Sequence, residues 1–318
     1  MRVGLTGSHG LIGSALATAL EQQGHQVLSI PRGKALVGEQ TGAGEGWVAG
    51  VGTSSNLFFD PDGGSSDLGG LEGFDVLIHL AGEPIGEHRW DARVRSLIYS
   101  SRVYGTRSLV NALSKLENPP STLLIASASG FYGDRGIEEL TEDSTQGSGF
   151  LAKVVADWEA ESRAAQEFVD RLVLLRTGIV LDAVGGLLGR LLPLFRLGLG
   201  GRLATGDQYM SWITLSDEVR AIQFCLENQS VSGPANLVAP NPVTNAEFTK
   251  ELASILRRPA VFGVPSVALE LVLGKEMARE LALGSQRILP KALLSAGFTF
   301  ESATLGAALK QVIAGSNR

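Results

Sequence analysis

Along the first half of the chain, short runs of aliphatic and β-branched residues alternate with longer stretches in which apolar positions recur every three or four residues. The runs 2–6 (RVGLT), 26–30 (QVLSI), 75–81 (DVLIHLA), 121–127 (STLLIAS) and 171–177 (RLVLLRT) have the length and composition of strands. Helical periodicity fills about 11–23, 91–117 and 150–168. Strands that alternate with helices in this way predict an α/β fold, a Rossmann-like doubly wound parallel sheet with crossover helices.

After about Gly178 the rhythm changes to loops, a helix near 216–228, another at 244–257 and short helices from about 264. This predicts a first domain over 1–178, to which some later segments return, and a smaller, mainly helical lobe over 179–318. Twelve glycines from Gly33 through Gly73, with almost no helix-length pattern, predict a long irregular and partly mobile excursion.

Composition narrows the partners. A 318-residue chain with 44% apolar and 19% charged residues is long enough to bury a large core. The net charge of −6 gives no broad attraction for phosphate backbones or anionic lipid, so neither nucleic acid nor a membrane is expected as partner, with a local basic pocket left open. The apolar stretch 185–201 is broken by Arg190, Pro193 and Arg196, and the first residues read as a strand instead of a leader. A cytoplasmic protein is expected, compatible with a homodimer. The single Cys225 in EVRAIQFCLEN reads as a buried small hydrophobe, and four scattered histidines (9, 25, 79, 88) give no metal-ligand spacing.

The stretch TGSHGLIGSAL places Gly7, Gly10 and Gly13 directly after a strand and at the opening of a helix. The first glycine permits the tight turn, the second lets a pyrophosphate approach, and the third lets helix pack on strand while the helix N-terminus faces the anion. In this context the triplet predicts dinucleotide binding. The second strand runs into SIPRG, where an acidic residue would bind both ribose hydroxyls and a guanidinium would match a 2′-phosphate. Arg32 has that spacing from Gly13, and no acidic residue appears before Glu39, so NADP is favoured over NAD. The alternative for Arg32 is a solvated surface residue.

With those residues in place, the chain resembles the extended short-chain dehydrogenase/reductases, the group of the sugar-nucleotide epimerases. HLAGEPI (79–85) resembles the strand end beside the nicotinamide ribose, and ASASGFYGD (126–134) the serine-bearing strand. More narrowly, LAGEPIGEHRW (80–90), LRTGIVLDAVGG (175–186), QYMSWITLSD (208–217) and the terminal segment at about 264–312 resemble atypical epimerase-family proteins sometimes labelled cell-division inhibitors. The resemblance implies that Gly7, His9, Gly10, Leu11, Ile12 and Gly13 bind pyrophosphate, Arg32 the 2′-phosphate and Asp60 the adenine side. It puts Leu80, Ala81, Gly82 and Glu83 on the ribose and nicotinamide side, with Arg102 where epimerases often carry Asn. Glu83 and Arg89 read equally as a loop-fixing ion pair.

One stretch departs from the family. Its members use a tyrosine phenol to move a proton and a lysine four residues later to lower the phenol's pKa and hold the ribose. In GFLAKVVADWE (149–159) those positions carry Phe150 and Val154, which can do neither. The remaining candidates are Ser127 or Ser129, flanking an Ala128 at the usual serine site, Tyr132 as a relocated acid and Lys153 as a ribose holder. Each has a plain alternative: packing for Tyr132, solvation for Lys153. Trp212 and FRLGLGG (195–201) would shape the substrate side, Trp212 reading equally as interior packing. Two functions follow: an NADP-dependent oxidoreductase or epimerase acting on a nucleotide sugar or other small polar substrate through unusual residues, or a catalytically impaired NADP(H)-binding regulatory or redox-sensing module.

Overall fold

A computed structural model describes residues 1–33, 57–64 and 66–315. Most of the expected glycine-rich excursion lies outside the described residues. Six parallel strands form the central sheet: β1 (Arg2–Thr6), β2 (Gln26–Ile30), β3 (Val76–His79), β4 (Thr122–Ala128), β5 (Arg171–Thr177) and β6 (Gly233–Leu237). Their spatial order is β2-β1-β3-β4-β5-β6, so the chain steps outward from β1 to β2 and then back across to β3. That reversal leaves a crevice beyond the C-terminal ends of β1 and β3, where open α/β sheets bind ligands.

Successive strand residues point to opposite faces, and both faces are covered. Val3, Leu5, Ile78 and Leu124 face one layer, packed against Leu16 and Leu20 of α1 (Leu11–Gln22) and Ile222 of a later helix. Leu77, Leu123 and Ile125 face the other layer, with Leu109 and Leu113 of a second helical segment and Trp158 of a third. The helical segment read as 91–117 is α2 (Ala92–Tyr99), a π-turn over Ser100–Tyr104 and α3 (Gly105–Leu113). Asp91 starts it by accepting the Val94 N–H at 2.7 Å. Then comes α4 (Phe150–Arg163), preceded by Gly149 at φ 113°, a left-handed conformation that glycine adopts without strain.

The second half holds α5 (Gly186–Arg196), α6 (Leu215–Glu227), α7 (Asn245–Leu256), α8 (Ser266–Leu273) and a final helix over Leu305–Gly315. Leu188, Leu192 and Phe195 join Trp212, Phe248, Leu252 and Leu309 in a separate core for this lobe. Thr244 and Glu247 close a reciprocal capping box at the start of α7. Two elements were not among those read from the sequence: α5, which runs through Pro193, and the strand Gly233–Leu237, a later segment that joins the main sheet as its edge beside β5.

Candidate functional site

The glycine loop is built by sterics at the end of β1. Gly7 has φ 73°, and a Cβ there would lie 2.8 Å from the Leu80 carbonyl carbon, so the loop and the end of β3 touch backbone to backbone. A Cβ on Gly13 would collide with the Gly7 carbonyl oxygen. Gly10 caps α1 in an extended conformation without any side-chain cap, and its own N–H donates to the Gly7 oxygen at 3.0 Å. The N-terminal amides of α1, at Leu11 and Ile12, thus have no side-chain cap, as an anion site needs. His9 is exposed at the tip of the turn, within 3.4 Å of the Ser8 hydroxyl.

Beneath this loop the ends of β1 and β3 are tied together. The Thr6 hydroxyl and His79 Nδ1 are hydrogen-bonded at 2.7 Å, and the Ala81 N–H donates to the same hydroxyl at 3.3 Å. His79 is fully enclosed, and burial holds its pKa down to about 4, so the ring is neutral.

Arg32 and Glu83 lie on the rim. Arg32 follows β2, is bridged in parallel to Phe59 and has a side chain 54% exposed. Its Nη1 is 3.8 Å from Glu83 Oε2. Glu83 is held from below: Arg102, presented by the π-turn, donates to the Glu83 carbonyl at 2.9 Å, and the Glu83 N–H donates to the Ser101 hydroxyl at 3.1 Å. Arg102 lies along Gly82 and over the Trp158 ring, and burial lowers its pKa to about 10. Asp60 is buried beside the Arg32–Phe59 bridge, where it accepts the Asp62 N–H at 2.9 Å and donates its own N–H to Ser66. Leu80, Ala81 and Gly82 line the crevice between the glycine loop and Arg102.

The expected catalytic set is not gathered at one point. Ser127 is buried and donates to Glu159 Oε1 at 2.7 Å. Tyr132 is fully buried; its hydroxyl donates to Asn236 at 2.7 Å and accepts from Arg176 at 2.9 Å. Its phenol has no open path to a ligand, which corrects its reading as a relocated acid. Burial pushes the phenol pKa up despite Arg176, so the proton stays on. Arg176 and Glu159 form a bidentate pair at 2.8 and 2.9 Å, both side chains almost wholly enclosed. Burial alone would raise the Glu159 pKa, but Arg176 and Ser127 outweigh it and hold the carboxyl below its ordinary range.

Lys153 points to solvent and pairs with Asp157 at 2.5 Å, the carboxylate that also accepts from Tyr99 at 2.9 Å. Only Ser129, half-exposed at the end of β4, is in none of these interior networks. Phe150 is stacked edge-on to Trp90 and under Arg95, and Val154 is buried. Trp212 takes the interior of its two readings, with Nε1 donating to the Asn241 carbonyl. The FRLGLGG loop runs beside Pro259 and Phe262 and does not line the cleft.

A cavity of about 650 Å³ opens at the N-terminus of α4, with Gly130, Ser148, Gly149, Lys275, Arg279 and Glu280 among its lining residues. Glu280 accepts the N–H groups of Phe150 and Leu151, both at 2.7 Å, and so caps the helix that carries the departed tyrosine position. The other acids of this cavity are also committed: Asp134 accepts the Ser285 N–H at 3.1 Å, and Glu276 pairs with Arg95 at 3.1 Å. Lys275 has no ion pair among the described residues, and Arg279 meets Glu270 only at 3.7 Å. The cavity is therefore lined by charges of both signs, Lys275 and Arg279 against Asp134, Glu276 and Glu280. Arg89 lies against Gly274 at the same junction.

The Glu280 cap and the Glu159–Arg176 pair were not foreseen. An arginine inside the otherwise apolar RLVLLRT run was the signal for the second; the first has none in local sequence.

Comparison with known proteins agrees with this geometry. The model of the NAD dependent epimerase/dehydratase family matches residues 3–238, and a domain of unknown function (DUF1731) matches residues 264–312. The chain is 41% identical over 307 residues to the epimerase family protein Mb2239 of Mycobacterium bovis, covering 96% of each. The crystal structure of human epimerase family protein SDR39U1 (isoform 2) with NADPH is similar at a TM-score of 0.82 and 30% identity, covering 98% of this chain and 99% of that one. A nucleoside-diphosphate sugar epimerase of Corynebacterium glutamicum is similar at a TM-score of 0.73 and 35% identity, covering 97% of this chain and 57% of that one. The chain belongs to the NAD dependent epimerase/dehydratase family, in the form that carries the DUF1731 segment at its C-terminal end.

Proposed function

We propose that this protein binds NADP(H) in the crevice beyond β1 and β3 and acts as an epimerase- or oxidoreductase-like protein on a small polar ligand, of which a nucleotide sugar is one class. The observation that carries the reading is the glycine turn: Gly7 packs backbone to backbone on the end of β3, Gly13 lets α1 approach the Gly7 carbonyl where no Cβ fits, and the N-terminus of α1 beside them has no side-chain cap. The residues fit the dinucleotide. Gly7, Gly10, Leu11, Ile12 and Gly13 would hold the pyrophosphate, Arg32 the 2′-phosphate, and Leu80 to Glu83 the ribose side. Bound there, the nicotinamide would supply or accept hydride. The human relative solved with NADPH supports the same cofactor for this chain.

The cavity at the start of α4, lined by Lys275 and Arg279 together with Asp134, Glu276 and Glu280, suits a strongly polar ligand. Ser129 is the candidate with a side chain free to meet such a ligand. A cytoplasmic location and a homodimer remain part of the proposal.

A second reading, a redox-sensing module, is favoured by one observation: Ser127 and Tyr132 are spent on the buried Glu159–Arg176 pair and Asn236, and Lys153 stands apart from them in a surface pair with Asp157. Loss of a positioned general acid typically costs about 10²–10⁴ in rate. A screen of carbonyl compounds and nucleotide sugars, following nicotinamide absorbance, separates the two. Turnover with any of them supports the enzyme. No turnover, together with a different shape or proteolysis pattern with NADP⁺ than with NADPH, supports the sensor.

A further inference from the structure

Away from the cleft, one face of the C-terminal lobe is apolar and exposed. Leu197 and Leu199 project from the turn after α5, Val261 and Phe262 from the loop after α7, and Val267, Leu271 and Val272 from α8. The backbone makes these one surface. Gly198 packs on Pro259, the Val264 N–H donates to the Arg202 carbonyl at 2.8 Å, and the Ala204 N–H donates to the Val264 carbonyl at 2.8 Å. The two loops thus run side by side and lead directly into α8. That helix, SVALELVL, has no buried residue, and Leu271 and Val272 are 72% and 73% exposed. Seven large apolar side chains, each more than half exposed on adjoining segments, are more than the single scattered ones usual on a soluble monomer.

The charge on this face is opposite to that of the whole chain. Arg196, Arg202, Arg257 and Arg258 are all exposed around the apolar residues, and no acidic side chain pairs with any of them among the described residues. Arg202 lies against Gly263, at the join of the two loops. In a protein of net charge −6, this is a local cluster of four unneutralised guanidinium groups around an apolar centre.

The combination selects among occupants. Two copies meeting through this face about a twofold axis would set their arginines against one another, so a symmetric dimer here repels itself. An anionic lipid surface satisfies both features: guanidinium groups meet headgroup phosphates while apolar tips enter the boundary with the acyl chains. Apolar side chains carried on loop tips and around an exposed helix also suit a deformable surface better than a fitted groove.

We propose that this face docks on anionic bilayers, with Val261, Phe262, Leu271 and Val272 inserting and the four arginines holding the headgroups. The test is flotation of the full-length protein with vesicles of phosphatidylcholine alone and of phosphatidylcholine with phosphatidylglycerol, at low and high salt. Wild type is expected to float only with the anionic vesicles, and its bound fraction to fall several-fold at high salt. The double variants Phe262→Ser with Leu271→Ser and Arg257→Glu with Arg258→Glu change exposed side chains, so both are expected to keep the wild-type melting curve and to lose flotation.

No flotation of wild type at low salt, or flotation unchanged in both variants, overturns the proposal. Light scattering on the same samples covers the other occupant. A dimer that the Phe262→Ser, Leu271→Ser variant converts to monomer gives the face to a second copy and also overturns it; a wild-type mass that the substitutions leave unaltered stands with lipid docking.

Discussion

Arg32 Nη1 and Glu83 Oε2 lie 3.8 Å apart although the strands that lead to them, β2 and β3, flank β1 on opposite sides. The pair therefore reaches across the C-terminal end of β1, over the glycine loop. Any 2′-phosphate that takes Arg32 must displace the Glu83 carboxylate, which has the Arg102 guanidinium beside it as a second cationic neighbour. The Glu83 side chain in this arrangement competes with the 2′-phosphate for Arg32, whatever its backbone does on the ribose side. Glu83→Gln is expected to tighten NADPH by about two- to fivefold, the range for releasing a largely exposed ion pair, and to leave NADH unchanged. Isothermal titration with both nucleotides reads this directly; an equal change for both would detach Glu83 from the phosphate.

Gly13 tests the cradle itself. Gly13→Ala puts a methyl group onto the Gly7 carbonyl, and the loop must open to accept it. Overpacking of this kind costs about 1–3 kcal/mol in stability. Binding of NADPH and NADH is expected to fall together, by about 100-fold, while far-ultraviolet dichroism keeps the wild-type spectrum. Unimpaired binding by a folded Gly13→Ala variant would locate the dinucleotide elsewhere.

Glu218 sets a pH dependence of stability. It is fully buried, accepts from Thr177 at 2.8 Å, and burial pushes its pKa from 4.5 up to about 8. Because the folded pKa is above the unfolded one, its contribution is complete below pH 4.5 and is lost as pH rises to about 8. His79 has the opposite sign: its pKa of about 4 against 6.5 removes stability only as pH falls below 6.5. Between pH 6.5 and 8, therefore, only Glu218 of these two acts. Wild type is expected to lose about 2 kcal/mol over that interval, at about 1.4 kcal/mol per pH unit for one proton. Glu218→Gln should flatten the curve, as read by urea denaturation across the range; a slope unchanged in the variant would assign the loss to another group.

Glu159 and Arg176 make a buried ion pair that joins α4 to β5 and, through Ser127 and Tyr132, to β4 and Asn236 of β6. Removing Glu159 leaves Arg176 uncompensated inside the protein, whereas Glu159 without Arg176 would keep the more exposed Arg163 at 2.8 Å. Glu159→Leu alone is expected to cost about 3–5 kcal/mol, and Glu159→Leu with Arg176→Met to regain most of it. Denaturant midpoints of the single and double variants check the pairing. A double variant as unstable as the single one would mean that the hydrogen bonds to Ser127 and Tyr132, not the charges, hold this junction.

Much of the cofactor half was legible in the sequence because its signals are local. Val3 and Leu5 alternate with residues on the other face, Gly7 to Gly13 follow them at once, and Thr244 with Glu247 writes its own helix start. β6 was not legible because GPANL is short and contains Gly233 and Pro234, which count against a strand until an edge position beside β5 accommodates them. Helix α5 was hidden by Pro193 and its glycines, though Leu188, Leu192 and Phe195 share one buried face. The cap on α4 was beyond any window: Glu280 and Phe150 are 130 positions apart, and nothing near either residue names the other. Tyr132 and Ser127 looked available because the sequence does not display Asn236, Arg176 and Glu159 beside them.

The central claim, a crevice built for a phosphorylated dinucleotide, is met most directly by titrating the purified wild-type protein with NADPH and NADH while following nicotinamide fluorescence and thermal stability together. Tight NADPH binding with weak NADH binding is predicted, with the preference erased in Arg32→Ala. Binding of neither nucleotide would contradict the claim, and equal binding of both would remove Arg32 from the phosphate site.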